Sequence, residues 1–68
     1  MATFNIQYVL EGELDSEIVV LEGSNEVYDD IATVFANPEL SHKIKDWADS
    51  SNVGDQLEDV YFILTRVA

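Results

Sequence analysis

Almost every side chain in this sequence that could do chemistry is a carboxylate. Glu11, Glu13, Asp15 and Glu17 fall at every second position. In an extended chain they project to one side at ~6.7 Å intervals, twice the strand rise. Glu22, Glu26, Asp29 and Asp30 follow. Glu26 and Asp30 lie one helical turn apart, about 5–6 Å between Cβ atoms. Phosphates along a nucleic-acid strand form a comparable regular array of negative charge. Carboxylates held at such intervals can fill a groove lined with Lys and Arg, drawn in by the field that attracts DNA. These eight residues are the candidate partner-binding face.

Catalytic chemistry finds little support. His42 is the only histidine, and its spacing to the serines suggests no triad. With no cysteine, there is no thiol nucleophile, no Cys zinc site and no disulfide. Paired carboxylates can act as general acid and base, but only across a substrate cleft, which a 68-residue chain can hardly build. A calcium loop starting at Asp49 needs Asp or Asn at its fifth position and Glu at its twelfth. Val53 and Val60 stand there instead. The expectation is a protein that is not an enzyme and uses no cofactor or metal.

The elements that must position the carboxylates follow from hydrophobic periodicity. From Thr3 to Leu10 the chain alternates, with Phe4, Ile6, Tyr8 and Leu10 on one face, the signature of a half-buried strand. Residues 11–16 are polar and hold Gly12, so the chain turns. Residues 17–22 carry Ile18, Val19, Val20 and Leu21 and read as the second strand of a hairpin. Ser24 or Asn25 then caps a helix whose inner face is Val27, Ile31, Val34 and Phe35. Asn37 caps a second helix with Pro38 at its first position. Leu40, Ile44, Trp47 and Ala48 form its inner face, and His42 sits beside that stripe. After a loop at Gly54-Asp55, residues 57–67 read as a last strand. The expected fold is one α+β domain spanning 1–68, in ββααβ order. Two helices cover one face of a three-stranded antiparallel-type sheet of order 2-1-3. On the other face, Val9, Tyr61, Ile63, Val67 and part of the second strand form an apolar patch, a candidate contact for a homodimer.

The charge is lopsided. Fourteen Asp and Glu face three Lys and Arg, a net charge of −11. Residues 1–42 contain no Lys or Arg, while Lys43, Lys45 and Arg66 partly offset the acids of residues 43–68. That sign excludes direct nucleic-acid binding and docking on an anionic membrane. A chain of this length has a radius of gyration of ~11 Å, so excess charges lie ~17 Å apart. Their mutual repulsion is ~13 kcal/mol unscreened and about 2 kcal/mol at physiological salt. One core of this size seldom supplies more than ~3–5 kcal/mol. The longest apolar run, Val60 to Leu64, is too short to span a bilayer, and the N-terminus lacks the basic residue and apolar block of a signal peptide. The expected location is the cytoplasm.

Small size, absent cysteines, strong acidity and the strand-strand-helix-helix-strand order together resemble the small phage-encoded anti-CRISPR proteins that act as DNA mimics. The resemblance implies a non-enzymatic inhibitor. Its acidic face would fill the Lys/Arg-lined DNA cleft of a CRISPR surveillance or effector complex in the host cytoplasm and block target DNA recognition. The alternative expectation is an acidic protein–protein interaction module, antitoxin-like or anti-restriction, with a basic protein partner.

Overall fold

A computed structural model describes residues 2–68; Met1 lies outside the described residues. Strand β1 (Thr3–Leu10) and strand β2 (Glu13–Glu22) form a hairpin. Helix α1 (Asn25–Val34) and helix α2 (Glu39–Ser50) follow, then strands β3 (Gln56–Glu58) and β4 (Phe62–Arg66). The sheet has order β2-β1-β4-β3, and each neighbouring pair is antiparallel. Its radius of gyration is 11.1 Å, as expected for the length.

The α+β class, the two helices and the antiparallel sheet match the expectation from sequence. The strand count and order do not. The expected single strand over 57–67 is broken at Asp59-Val60-Tyr61, so the order is ββααββ with four strands instead of three. The cause is local. The Asp59 N–H donates to the Phe62 carbonyl at 2.9 Å, and the Asp59 carboxylate accepts the Tyr61 N–H at 3.3 Å. This Asp-directed turn lets Leu57 fold back opposite Leu64. Val60, expected on the helix face, is left 78 % exposed at the tip. Tyr61, expected on the open face, instead stacks on Phe35 with ring centroids 5.3 Å apart.

The first hairpin is tighter than expected. Glu11 (φ 52°) and Gly12 (φ 80°) form a two-residue turn with both φ positive, the geometry that matches strand twist. β2 therefore begins at Glu13 instead of residue 17. Leu10, expected in the core, overruns the helices and is exposed. Register slips between Gln7↔Ile18 and Val9↔Leu14, so Asp15, Ser16 and Glu17 oppose Tyr8 alone. The bulge is held by Gln7 Nε2 donating to the Asp15 carbonyl at 2.7 Å.

One continuous core lies between the sheet and the helices. Phe4, Ile6, Phe62 and Leu64 supply the sheet side, and Tyr28, Ile31, Ala32, Leu40, Ile44 and Ala48 the helix side. Phe4 meets Tyr28 of α1 at 6.3 Å and Trp47 of α2 at 5.4 Å. Ser24, not Asn25, caps α1: its Oγ accepts the Val27 N–H at 3.2 Å. The inner face of α1 is rotated from the expected stripe, with Tyr28 and Ala32 buried and Val34 exposed. The helix stops at Val34, and Phe35 turns under it onto Tyr8 and Phe62. α2 starts one residue later than expected. Pro38 takes the cap position, and Asn37 contributes its backbone carbonyl to the Leu40 N–H instead of a side-chain cap. Burial, reinforced by the negative charge of Asp49, holds the Tyr28 phenol above its usual pKa.

Two backbone positions carry measurable consequences. Ala36 has φ 52°, and its N–H reaches the Thr33 carbonyl while Asn37 N–H reaches Ala32. This is a left-handed helix stop made without glycine. Ala36→Gly is expected to stabilise the fold by about 1 kcal/mol, read as a higher urea midpoint. Gly23 is the converse case. A Cβ there would lie 2.7 Å from Tyr28 Oη and 2.8 Å from Phe4 Cε2, both in the core. Gly23→Ala is expected to cost roughly 1–3 kcal/mol, with the midpoint falling accordingly.

Candidate functional site

The acidic residues lie on three adjoining elements. Glu11 sits in the β1–β2 turn; Glu13, Asp15, Glu17 and Glu22 lie on β2; Glu26, Asp29 and Asp30 lie on α1. Seven are exposed and Asp15 is half-buried. The contacts of Phe4 with Tyr28 and of Tyr8 with Phe35 show that α1 runs along β1 in the same direction. β2 is the other neighbour of β1 in this half of the sheet. The basic residues are elsewhere. Lys43 of α2 pairs with Asp59 in the β3–β4 turn at 3.6 Å. Arg66 of β4 donates to the Ser51 carbonyl and to Ser51 Oγ at the end of α2. These contacts tie α2 to the β3–β4 half, where the three bases lie among the six remaining carboxylates, Glu39, Asp46, Asp49, Asp55, Glu58 and Asp59.

Not every expected neighbour is brought together. Glu13, Asp15 and Glu17 keep the alternate spacing of an extended strand and share the helix-side parity of Val19 and Leu21, although the bulge bends the run at Asp15. Glu11 is turned away by its positive φ. Glu22 pairs with Thr3 on the open face at the far end of β2. On α1, Glu26 and Asp30 point to solvent. Asp29 leans toward α2, where its Oδ1 accepts the Ser41 hydroxyl.

Among the described residues, the one ion pair within 4.0 Å is Lys43–Asp59, so none of the eight candidates has a cationic partner. Two carboxylates of the eight accept hydrogen bonds within the fold: Asp29 from Ser41, and Asp15 from the Glu17 N–H at 3.3 Å. No three acids or His42 converge into a metal-holding group among the described residues. The carboxylates are thus separate charges fixed on a strand and a helix, with their hydrogen-bonding capacity largely free.

A cleft of about 410 Å³ lies where α1 passes into α2, lined by Asp29, Ala32, Thr33, Ala36, Pro38 and Ser41 among others. It holds a single ionisable group, the Asp29 already bonded to Ser41, so no carboxylate pair faces a substrate there. His42 is exposed on α2. Among the described residues, no helix is long and apolar enough to cross a membrane.

Uncompensated charge of this kind makes stability depend on salt. Raising the salt concentration from about 10 mM to 500 mM shortens the screening length from ~30 Å to less than 5 Å. Unfolding free energy is expected to rise by several kcal/mol over that range, with about 7 kcal/mol as the ceiling reached if the unfolded chain kept none of the repulsion, measured by urea titration at each salt concentration. A flat response would show that the acids do not repel one another appreciably in the folded state.

Compared with protein-family models, with curated proteins and with solved structures, the chain finds no match in any of the three.

Proposed function

We propose that this chain is a non-enzymatic inhibitor that imitates a polyanion. Its acidic side occupies the Lys/Arg-lined DNA cleft of a DNA-binding complex, of the CRISPR surveillance or effector kind, and blocks target recognition in the host cytoplasm. The observation that carries this reading is the unpaired acidic side itself. Eight carboxylates lie on the β1–β2 hairpin and α1, and all three basic residues lie on α2 and β4. A charge of −11 steers the protein toward a cationic cleft, where bound DNA and bound inhibitor exclude one another. Mounting the carboxylates on a strand and a helix also avoids the ordering cost that a flexible acidic tail would meet on binding.

The test is capture from a bacterial lysate on the immobilised chain at low salt, followed by elution with duplex DNA. Release by duplex DNA of a nucleic-acid-binding complex, and loss of capture at high salt, are the expected results. Capture of a protein that neither DNA nor salt releases would replace this reading with that of an antitoxin-like or anti-restriction module.

A further inference from the structure

We propose that the apolar patch at the hairpin end of the molecule docks a cationic amphipathic helix of the partner's cleft, with the helix's apolar stripe on Leu10, Val34 and Tyr61 and its Lys or Arg residues on Glu13 and Asp30. This contact rests on the reading of the acidic side as a docking face and specifies the element of the partner that meets it. Leu10 is the last residue of β1 and has the helix-side parity of Tyr8, but it overruns the helices and is exposed. Val34 ends α1 and is 69 % exposed. The Val9 N–H donates to the Tyr61 carbonyl at 2.8 Å, which carries the pairing of β1 with β4 one step past Tyr8↔Phe62 and sets Val60 and Tyr61 beside Leu10. One face of the Tyr61 ring lies on Phe35, yet the residue is 56 % exposed. Phe35 also meets Tyr8 at 6.1 Å, so strand end, helix end and turn close on one half-buried ring. The apolar surface around it is continuous, and exposed patches of this kind with a polar rim mark sites of association.

Charge complementarity selects the occupant. Glu13 stands opposite Leu10 on the same face of the sheet, and Asp30 lies one helical turn before Val34. Among the described residues neither carboxylate has a cationic partner, and Lys43, which reaches the β3–β4 turn, is held there by Asp59. A nucleic acid or an anionic membrane would meet these carboxylates with like charge. So would a second copy, which brings the same rim and a net charge of −11. A segment that is apolar between Lys or Arg residues covers the patch and neutralises its rim together. β1 is an interior strand, so the patch offers side chains and no free backbone edge. Side chains alone are matched by a helix with apolar residues at every third and fourth position. An Arg of that helix gains further by lying against the open face of Tyr61. The contact has no counterpart in a phosphate backbone. It therefore gives the inhibitor a hold on the cleft that bound DNA lacks, acting on release where the carboxylates act on encounter.

Amide chemical-shift titration of the full chain tests the contact with two synthetic peptides of about 18 residues, five turns of helix. Both contain the same Leu, Lys and Arg residues. One arranges them as an amphipathic helix, and the other scrambles them so that no apolar stripe forms. The ordered peptide should bind more tightly by on the order of tenfold, with shifts centred on Leu10, Val34 and Tyr61. Leu10→Ser with Val34→Ser, two exposed positions outside the buried core, should remove most of that preference. Val53→Ser, at a similarly exposed valine between α2 and β3, should leave it unchanged. Circular dichroism checks that each variant is folded, and the shift map of the unaltered chain stands without them. Equal affinity for the two peptides, shifts centred on Ile18–Val20, or a preference that survives the double substitution overturns the contact and leaves the acidic docking face standing. The docking face itself fails if Glu13→Lys with Asp30→Lys leaves the affinity for both peptides unchanged.

Discussion

Replacing Glu13 and Asp30 together by lysine is expected to lower the association rate with the captured complex by on the order of tenfold or more, while making the free protein more stable. Each reversal moves the net charge by two, so −11 becomes −7. Both side chains are exposed, and neither accepts a hydrogen bond in the fold. Asp29 is a poorer choice, because its reversal would also remove the acceptor of the Ser41 hydroxyl. The binding loss follows from steering, which raises encounter rates 10- to 1,000-fold when potentials are complementary. The gain in stability, about 1 kcal/mol, follows from relieving part of the screened repulsion. Stopped-flow association and urea unfolding measure the two effects. Opposite signs are the diagnostic outcome: residues kept for folding would lose both together.

Phe4→Ala is expected to unfold most of the population. Phe4 is 2 % exposed and joins three elements, packing from β1 onto Tyr28 of α1 and Trp47 of α2. Truncating a buried phenylalanine costs roughly 3–5 kcal/mol, and a core of this size seldom supplies more than ~3–5 kcal/mol in total. Far-UV circular dichroism and the dispersion of amide resonances should both collapse at low salt. Because screening restores stability, high salt should recover part of the folded signal. Val34→Ala, which removes apolar bulk from an exposed position on the same layer, should leave both signals in place.

Much of the fold was legible in the sequence, and the misses have identifiable causes. The alternation from Thr3 to Leu10 and the 3.6-residue stripe of α2 report burial directly, so β1 and α2 stand where their periodicity puts them, and the cap at Ser24 places the start of α1 although its buried face is rotated from the expected stripe. The β1–β2 turn was hidden because its αL residue is Glu11, where a two-residue turn usually announces itself with Asn or Asp before Gly. The end of α1 was hidden in the same way, since Ala36 occupies the left-handed position that glycine usually marks. That stop swings Phe35 inward and leaves Val34 outside, which a helical wheel continued through residue 35 cannot show. At Asp59 a single carboxylate directs the turn, and the apolar run from Val60 to Leu64 makes the segment read as one strand. Tyr61 follows from that turn, since a residue outside the ladder is free to leave the face that alternation assigns it.

For the acidic side, the list of residues was legible and the spacing only partly so. Alternation in the chain predicts a straight row from Glu11 to Glu17. The turn removes Glu11 from it, the bulge bends it at Asp15, and strand parity puts Glu22 on the opposite face. Nothing local to those residues reveals how α1 adjoins β2, because that depends on the packing of Tyr28 and Phe35 over β1. The placing of the bases away from the eight candidate carboxylates also depends on tertiary contacts, those of Lys43 with Asp59 and Arg66 with Ser51.

The most direct measurement of the anionic side is paramagnetic relaxation of backbone amides by a freely diffusing cationic nitroxide, compared with its neutral analogue. A coherent negative surface concentrates the cation, so the excess relaxation should peak on residues 11–17 and 26–30, be weakest around Lys43, Lys45 and Arg66, and vanish in high salt. An excess spread evenly over α2, β3 and β4 as well would mean that the charge surrounds the molecule, and would contradict a DNA-like face.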